Sequence, residues 1–566
     1  MINENPQGFR LLGNSQAILR SSCDLSDSMD GGGRPDPGGN RGAARETVVN
    51  RIPLRNHLRV PALKRQGPAN FLPQNMDFLT RSTADDAQQY RLAWAELPAD
   101  LHTPVRLFLA LREAGHETCL LESAEGPERL ARYSFLGIDP VARFRAAHDG
   151  IEFDWRRGQE SWQGDGHAAF AKVAARYELP PPPPFLPPFL GGWIGSFSYE
   201  WAGVLEPTTG MPETKLTENP YAVFHLFETI IAVDHATQKL VLIQTCREGK
   251  EDYPWAMNKL EQVALDLRTS PPESKPFKLI DEEPVPAMAE EQFKAGVEKL
   301  KEAIKEGEIF QAVLSQRFDQ RFEGDPFTLY RVLRLANPAP HMFYFESDGL
   351  TLVGSSPERL VSVQNDVVQC RPIAGTRPRH DDADEDARLG AELCGDRKER
   401  AEHDMLVDLG RNDLGRVARI GTVAVKEHAA LEKFARVQHL VSRVECDLSA
   451  GHNALDALAA TFPAGTVSGA PKVRAMSLLA EIEGEARGAY AGCFGYLDHR
   501  GNLDMAINIR TIAVKNNTLS VQAGAGVVFD STPDGEFQET LHKSEALFEA
   551  IRLAASPAFS PKSSNR

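Results

Sequence analysis

The sequence predicts a mixed α/β fold, of the α+β kind, in which helices cover antiparallel sheet. Helically spaced apolar residues alternate with strand-like apolar runs in the second half of the chain, and the helical stretches lie at 396–410, 453–462, 470–483 and 535–554. Short turns such as Lys515-Asn516-Asn517 join successive strand-like runs, which is typical of antiparallel hairpins. A βαβ array with a glycine fingerprint, which would indicate a parallel sheet, does not occur in the sequence.

Shifts in composition predict how the chain is organised. Residues 1–75 carry ten Lys and Arg against six Asp and Glu and show no helix or strand period, so we predict a disordered N-terminal extension there. Met76 opens the first stretch of ordinary composition, and a start of translation at that residue is the alternative interpretation. The proline-rich stretch 271–287 predicts a linker. The regions on either side of it are 76–270 and 288–555, and a disordered tail is expected at 556–566.

The composition excludes several classes of protein. The 566 residues carry 63 Lys and Arg against 79 Asp and Glu, which gives a formal net charge of −16 and a pI near 5.5. The acidic composition argues against a nucleic-acid-binding protein, which would usually carry a basic face. No apolar run in the sequence reaches the roughly 18 residues that a membrane-spanning helix needs. The closest two of the seven cysteines are 24 residues apart, which predicts neither a zinc site nor a disulfide framework. We therefore expect a cytoplasmic protein with no nucleic-acid or membrane partner.

Two pairs of glutamates recur at the same spacing on predicted helices. Glu399 and Glu402 form one i, i+3 pair, Glu536 and Glu539 form the other, and each pair shares one face of its helix. Two such faces turned toward each other would supply the oxygen ligands that Mg²⁺ prefers. Lys543, one turn beyond Glu539, could hold an anionic group beside the metal. The alternative, which is the commoner role of this spacing, is a solvated helix face with an ordinary Glu–Lys pair.

Three further features have both a functional and a structural interpretation. Gly524-Ala525-Gly526 follows a strand-like run and could turn backbone N–H groups toward an anion, although a tight turn is the commoner role. His439 could act as a general acid or base, but a histidine in a strand-like run is more often structural. Arg510 closes another strand-like run and could bind a carboxylate through two parallel hydrogen bonds. Spacing alone leaves these alternatives open.

These features belong to a longer series of motifs that resembles one protein family. The motifs run through 290–548 and read Gly354-Ser-Ser-Pro-Glu-Arg359, Arg371-Pro-Ile-Ala-Gly-Thr-Arg-Pro-Arg379, Glu399-Arg-Ala-Glu-His403, Leu406 to Asp413, Phe462 to Met476, Asn508-Ile-Arg-Thr511, Gln522 to Gly526 and Gln538-Glu-Thr-Leu541. In this order they resemble the chorismate-utilising enzymes, and within that family the large subunits (component I) of anthranilate synthases. The resemblance implies two large antiparallel sheets packed together with flanking helices. It also implies a catalytic C-terminal region and a tryptophan-binding regulatory N-terminal region.

The activity that the resemblance implies is the conversion of chorismate and ammonia to anthranilate and pyruvate, the first committed step of tryptophan biosynthesis. Mg²⁺ is the implied cofactor, with Glu402 and Glu539 as ligands and Glu399 and Glu536 nearby. The implied catalytic residues are His439, Gln311 and Thr466. The residues that it implies for binding of the substrate are Gly375, Thr376, Tyr490, Arg510, Gly524, Ala525, Gly526 and Lys543.

Two positions distinguish the branches of this family. The water-adding branch carries a lysine general base where this chain has Gln311, and the aminodeoxychorismate branch typically carries a nucleophilic lysine where this chain has Ala374. Direct attack of ammonia on chorismate is therefore implied. Two alternatives stay open: an aminodeoxychorismate synthase component I that lacks the lysine, and a catalytically inactive protein that binds chorismate or tryptophan as a regulator.

The resemblance also implies partners. No glutamine amidotransferase motif surrounds any of the cysteines, so ammonia would come from a separate amidotransferase subunit (component II), in a heterotetramer. Tryptophan is expected as a feedback inhibitor. The residues that match the family's inhibitor-binding segments are Leu121, Glu122, Ser123, Asn337, Pro340, His341 and Met342. His341 stands where the family usually carries an aromatic residue.

Overall fold

The computed structural model describes residues 90–124, 132–155, 158–174, 185–247, 252–270, 276–434 and 436–559. All of them belong to one unit of the chain, Val49–Arg566. The extension predicted for 1–75 lies outside the described residues, and so does most of the tail predicted for 556–566.

Side-chain caps fix where several helices begin. Thr103, Asp382, Asp396, Asn453 and Thr532 each accept a hydrogen bond from a backbone N–H in the first turn of the helix that follows. The α-helices of the described part are α1 (Pro104–Glu113), α2 (Gly166–Ala174), α3 (Trp201–Leu205), α4 (Asp252–Asp266), α5 (Glu290–Lys305), α6 (Phe327–Ala336), α7 (Ala383–Gly395), α8 (Arg397–Gly415), α9 (Ala454–Thr461), α10 (Lys472–Glu483) and α11 (Pro533–Ala554). The four helical stretches predicted from spacing are confirmed as α8 to α11. Single 3₁₀ turns lie at Pro207–Thr209 and Gly465–Val467.

Strands account for most of the remaining structure. Those before residue 290 are β1 (Tyr90–Pro98), β2 (Thr118–Glu122), β3 (Tyr133–Ile138), β4 (Ala142–Ala147), β5 (Gly150–Trp155), β6 (Gly158–Trp162), β7 (Gly192–Phe197), β8 (Ala222–Phe227), β9 (Thr229–Asp234), β10 (Lys239–Arg247), β11 (Lys278–Leu279) and β12 (Val285–Pro286). Those after it are β13 (Gln311–Glu323), β14 (His341–Ser347), β15 (Leu350–Ser356), β16 (Arg359–Gln364), β17 (Val367–Cys370), β18 (Ile373–Pro378), β19 (Ala424–Lys433), β20 (Val437–Asp447), β21 (Gly469–Ala470), β22 (Cys493–Asp498), β23 (Leu503–Ile507), β24 (Thr511–Lys515) and β25 (Thr518–Val527).

The strands form two large antiparallel sheets, which confirms the predicted fold class. The first sheet has the order β1-β10-β9-β3-β2-β14-β15-β24-β25-β13-β11, with β12 and β21 also paired to β13. The second has the order β18-β20-β17-β16-β23-β22-β7-β8-β4-β5-β6, with β19 also paired to β20. The hairpin predicted around Lys515 is the pair β24 and β25.

The two sheets pack face to face between layers of helix. Phe343 of the first sheet stacks on Phe494 of the second with ring centroids 4.0 Å apart, inside an apolar cluster that draws residues from both sheets. Alternate residues along each strand point to opposite faces. The outer face of the first sheet therefore packs on α1, α4, α6 and α11, and that of the second packs on α2, α3, α8 and α9.

Both sheets combine strands from the regions 76–270 and 288–555. The proline-rich stretch between these regions supplies β11 and β12, which pair with β13. The boundary seen in the sequence is therefore not a boundary between sheets. Among the described residues, no helix combines the length and the apolar character needed to cross a membrane.

Candidate active site

The two glutamate pairs lie on helices α8 and α11. Glu399 and Glu402 follow the cap of α8, and Glu536 and Glu539 lie in the first two turns of α11. Glu402 lies within electrostatic range of Glu539 and of Lys543 on α11. The structure thus brings the predicted carboxylates together. Within the described part of the chain, no three His, Cys, Asp or Glu side chains are close enough to ligate one metal ion in the present arrangement.

Two carboxylates of this cluster, those of Glu402 and Glu536, are poorly compensated. Glu402 is accessible to solvent but crowded by protein, and this crowding, with the charges of Glu399 and Glu539, raises its pKa. Burial also raises the pKa of Glu536, with a further contribution from Glu539, and its buried Oε2 atom has no hydrogen-bond partner. A hard divalent cation that binds oxygen ligands would satisfy both the unpaired oxygen and the like charges. The residues present therefore fit Mg²⁺.

Glu399 differs from Glu402 and Glu536 because it has a cation partner. Its Oε1 atom accepts a hydrogen bond from Arg377 at 3.2 Å, and its Oε2 atom lies against Gly375. A Cβ at position 375 would be only 3.2 Å from that oxygen, and the φ of Gly375 is +72°, so only glycine suits the position. Glu399 therefore connects the carboxylate cluster to strand β18, and its charge is already paired with an arginine.

Arg510 is a half-buried cation that lacks a carboxylate partner among the described residues. Burial lowers the pKa of its guanidinium, and the nearby Tyr490 opposes that shift. Its backbone has a φ of +51°, a conformation that costs about 1–3 kcal/mol and that marks many functional sites. A guanidinium with free donors can hold a carboxylate through two hydrogen bonds. Arg510 is thus suited to bind an anionic ligand.

The glycines of β25 lie directly beneath other candidate residues. A Cβ on Gly524 would lie 2.7 Å from the hydroxyl of Tyr490, and one on Gly526 would lie 2.7 Å from Nε2 of Gln311. Ala525 faces the opposite side of the strand, so only its backbone can face a ligand here. Lys543 donates to the carbonyl oxygen of Gly524 at 3.0 Å.

Lys543 also joins this strand to the carboxylate cluster. Its Nζ atom lies 2.7 Å from Glu539, one helical turn away on α11. Lys543 therefore links strand β25 to the carboxylates.

His439 lies on β20 opposite Thr376, next to the irregularity in β18 at Gly375. Its Nδ1 atom is 3.0 Å from the carbonyl oxygen of Gly375 and 3.1 Å from the hydroxyl of Thr376. Burial lowers its pKa, and the charge of Arg510 lowers it further. The imidazole is therefore neutral at pH 7, and the carbonyl assigns the proton to Nδ1. The Nε2 atom is then free to accept a proton.

Thr466 lies in the 3₁₀ turn Gly465–Val467 and contacts a carboxyl group. Its hydroxyl donates to Oε1 of Glu358 at 3.1 Å. Both residues line a small cavity of about 60 Å³ together with Pro372, Leu406 and Ile507. These three lie three or four residues from Gly375, Glu402 and Arg510 respectively, so this cavity adjoins the site described above.

Comparison with known proteins agrees with this geometry. The family model described as chorismate binding enzyme matches residues 116–549. The chain belongs to the chorismate-binding enzymes. It is 41% identical over 470 residues to "Anthranilate synthase component 1" of Aquifex aeolicus, with 81% of this chain and 94% of that protein covered. It is 40% identical over 472 residues to the protein of the same name from Bacillus subtilis, with 80% and 91% covered.

A solved structure shows the same fold. The crystal structure of anthranilate synthase component I from Streptococcus pneumoniae TIGR4 matches with a TM-score of 0.66 at 36% identity. The match covers 74% of this chain and 92% of that chain. The two antiparallel sheets are therefore those of a chorismate-binding enzyme.

This chorismate-binding enzyme contains a second, larger cavity of about 700 Å³ between the two sheets. It is lined by six of the seven residues predicted for inhibitor binding, which are Leu121, Glu122, Ser123, Pro340, His341 and Met342. The hydroxyl of Ser123 is buried there and has no hydrogen-bond partner. Burial lowers the pKa of His341 to about 4, so its ring is neutral at pH 7. The cavity can therefore receive an aromatic ligand with polar groups.

Asn337 lies outside the lining of this cavity, and Glu122 lines it with a carboxylate that is already bonded. Asn337 does not line the cavity, because it ends α6 and its carbonyl oxygen accepts a hydrogen bond from the hydroxyl of Ser355. The buried carboxylate of Glu122 is already bonded by the hydroxyl of Tyr330 and by Arg334 at 3.0 Å. Its charge is therefore used inside the protein, although the residue borders the cavity.

Glu358 is a candidate catalytic residue that the sequence reasoning missed. Burial raises the pKa of its carboxyl to about 7, and the hydrogen bond from Thr466 opposes that rise. A carboxyl with this pKa can hold and release a proton at neutral pH. Its place in Gly354-Ser-Ser-Pro-Glu-Arg359, one of the motifs that carry the resemblance, was the available signal.

Proposed function

We propose that this chorismate-binding enzyme is the large subunit of an anthranilate synthase, which converts chorismate and ammonia to anthranilate and pyruvate. The single observation that carries the proposal is Arg510, a half-buried cation without a carboxylate partner in the described part, set beside Tyr490. Chorismate is a dianion, and the protein has a net charge of −16, so its binding needs a local site of this kind. The names of the relatives at 40–41% identity support the same activity.

Mg²⁺ would be held by Glu402 and Glu539, with Glu536 nearby and with Glu399 nearby but already paired to Arg377. When bound there, Mg²⁺ would supply Lewis-acid stabilisation of charge that develops next to a substrate carboxylate. Arg510, Tyr490, Lys543 and the backbone of Gly524 to Gly526 bind and orient the substrate in this proposal.

The proton transfers are assigned to groups with suitable protonation at neutral pH. Addition of ammonia at C2 of chorismate expels the hydroxyl at C4, and the leaving oxygen takes up a proton. Glu358 can donate it, because its pKa is about 7. Loss of pyruvate then requires removal of the proton at C2, and Nε2 of His439 can accept that proton. Thr466 orients the carboxyl group of Glu358 through their hydrogen bond.

The residues at two positions favour direct attack by ammonia. Gln311 lies over Gly526 and is not a general base, and Ala374 is not a nucleophile. Neither water addition nor covalent capture of chorismate by a lysine is therefore supported at these positions.

The proposal includes a source for the ammonia and a binding site for the inhibitor. A separate glutamine amidotransferase subunit supplies ammonia within a cytoplasmic heterotetramer, in keeping with the designation of the relatives as component 1. Tryptophan binds in the 700 Å³ cavity and inhibits the enzyme. The neutral ring of His341 takes the place of the aromatic ring usual in the family.

The decisive experiment mixes the purified chain with chorismate, Mg²⁺ and an ammonium salt and identifies the product by fluorescence and mass. Anthranilate and pyruvate in equal amounts are expected. Accumulation of 4-amino-4-deoxychorismate or isochorismate, or no turnover, would contradict the proposal.

A matched pair of variants tests the observation behind it. Arg510→Gln should raise the KM for chorismate at least about tenfold, because a charged hydrogen bond to the substrate is lost. Arg411→Gln removes an exposed arginine of α8 that pairs with Asp408, and should leave KM within about twofold.

A further inference from the structure

A buried arginine lies behind the candidate active site. Arg487 follows α10, and only 1% of its side chain is exposed. Its Nε and Nη2 atoms each donate to one carboxylate oxygen of Glu483 at 2.7 Å. Glu483 is held in turn by the backbone N–H of Ser315 at 2.9 Å. This double hydrogen bond fixes the plane of the guanidinium.

The remaining donors of Arg487 reach two other segments. Nη1 donates to the carbonyl oxygen of Val467 at 2.8 Å, and Nη2 donates to that of Val313 at 2.7 Å. Val467 directly follows Thr466, and Val313 lies opposite Gly526 in the pairing of β13 with β25. One guanidinium therefore connects the turn that carries Thr466 to the strand pair that carries the glycines.

A third segment is held by the guanidinium and the backbone of Arg487. The guanidinium lies over the ring of Tyr199 at 4.3 Å and near that of Tyr490 at 5.7 Å. The backbone N–H of Arg487 donates to the buried carboxylate of Glu200 at 2.7 Å, and that of Gly488 donates to it at 3.2 Å. The segment leading to Tyr490 is therefore fixed at its start.

We propose that Arg487 is a positioning residue, which aligns Thr466, Tyr490 and the Gly524–Gly526 strand with one another. The inference rests on the proposed function of that site, and Arg487 itself is too buried to touch substrate. A lysine keeps the charge, but its single nitrogen cannot reproduce the planar set of N–H donors that bonds Glu483 and two carbonyl groups at the same time. A misplacement of about 1 Å at a reacting group can cost about 10²-fold in rate.

The test compares Arg487→Lys with Arg474→Lys. Arg474 on α10 also makes two hydrogen bonds to one glutamate, at 2.9 and 2.6 Å to Glu308. Its side chain is exposed, and these bonds do not join the segments that carry Thr466 and Tyr490. We expect kcat/KM for chorismate to fall about 10²-fold for Arg487→Lys and to stay within about twofold for Arg474→Lys.

Hydrogen exchange supplies a readout that does not depend on activity. In Arg487→Lys, peptides covering 464–470, 486–492 and 522–528 should exchange faster, while the peptide covering 133–138 should not change. If this variant does not fold, Glu483→Gln keeps the shape of the partner and weakens only one of its two hydrogen bonds with Arg487, and the same three peptides are compared.

Three results would overturn the inference. These are a kcat/KM within twofold of wild type, lost activity with unchanged exchange in the three peptides, and exchange that rises equally in all peptides, which indicates general destabilisation. A wild-type chain that makes no anthranilate would refute the proposed function instead. The exchange comparison alone would then decide whether Arg487 aligns the three segments.

Discussion

The backbone N–H of Ser355 donates a hydrogen bond to the carbonyl oxygen of Arg510 at 3.0 Å. The hydroxyl of the same serine donates to the carbonyl oxygen of Asn337, three residues before the cavity-lining Pro340. A single residue thus joins the backbone of the candidate substrate-binding cation to the segment that forms one wall of the larger cavity. Coupling between two sites needs a shared element of this kind, which both ligands can bias.

Ser355→Ala should therefore weaken inhibition by tryptophan more than it changes catalysis. The substitution removes the hydrogen bond to Asn337 but keeps the backbone hydrogen bond to Arg510. We therefore expect kcat and KM to stay within about twofold, and the tryptophan concentration for half inhibition to rise about fivefold or more. The measurement is a set of inhibition curves at fixed chorismate. Ser449→Ala, which removes a hydroxyl that bonds Val417 and His452, is the control. Equal inhibition curves for Ser355→Ala and wild type would refute the coupling.

If Glu539 is a ligand of Mg²⁺ as proposed, Glu539→Gln should reduce activity by about 10²-fold or more and raise the Mg²⁺ concentration needed for half-maximal rate, because a charged ligand of the metal is lost. The substitution keeps the shape of the side chain and removes its charge. The rate is measured across a Mg²⁺ titration, after removal of bound metal with a chelator. Glu545→Gln, on the same helix and paired only with Arg552, should titrate like wild type. A Glu539→Gln enzyme with wild-type Mg²⁺ dependence would remove Glu539 from the metal site.

The parts of this site that the sequence predicts are those encoded within one turn or one strand. Asp396 caps α8 three residues before Glu399, so spacing alone places Glu399 and Glu402 on one face. Alternation along β25 likewise separates Ala525 from the two glycines. These relationships need no knowledge of distant residues, because backbone geometry sets them.

Contacts between distant residues could not be predicted in this way. Cys493 lies opposite Phe197, and Thr466 bonds Glu358 across 108 residues, because tertiary packing and not local pattern chooses the partner of a strand or a hydroxyl. The same limit explains Glu122. Its motif matches the inhibitor-binding segment, but Tyr330 and Arg334 of α6 determine what its carboxylate bonds.

His116 should make stability depend on pH near neutrality. Its ring bonds Asp139 at 2.9 Å and Asp266 at 3.0 Å, and the bond to Asp139 is the main cause of its raised pKa, which burial opposes. A raised histidine pKa stabilises the fold fully below the unfolded value near 6.5, and this contribution is lost as pH rises through the folded value.

His116→Gln should accordingly lower the free energy of unfolding by about 1 kcal/mol at pH 6 and by less at pH 9. Denaturant unfolding at the two pH values measures the difference, with His452→Gln as the surface control. A loss that is equal at both pH values, or larger at pH 9, would show that the ring acts through packing and not through its charge.

Glu358 and Thr466 together predict an alkaline limit to the rate. If the carboxyl group of Glu358 donates the proton to the departing hydroxyl, activity requires its protonated form and should fall as pH rises through about 7. The side chain in Glu358→Gln cannot donate a proton, so kcat should fall about 10²-fold or more. The remaining activity should no longer fall as pH rises through about 7, so the alkaline limb of the pH profile should be absent.

Thr466→Val gives the sharper test, because the hydrogen bond from Thr466 favours the ionised carboxylate and lowers the pKa of Glu358. Removal of the hydroxyl should therefore move the alkaline limb to higher pH, even though the maximal rate falls. Profiles of kcat against pH for wild type, Thr466→Val and Thr466→Ser decide the matter, and the serine variant should keep the wild-type limb. A limb that moves to lower pH in Thr466→Val, or that persists in Glu358→Gln, would assign the titration to another group. That group would not be His439, because its imidazole acts in the neutral form and its pKa is lowered by burial, so its titration would set an acid limb.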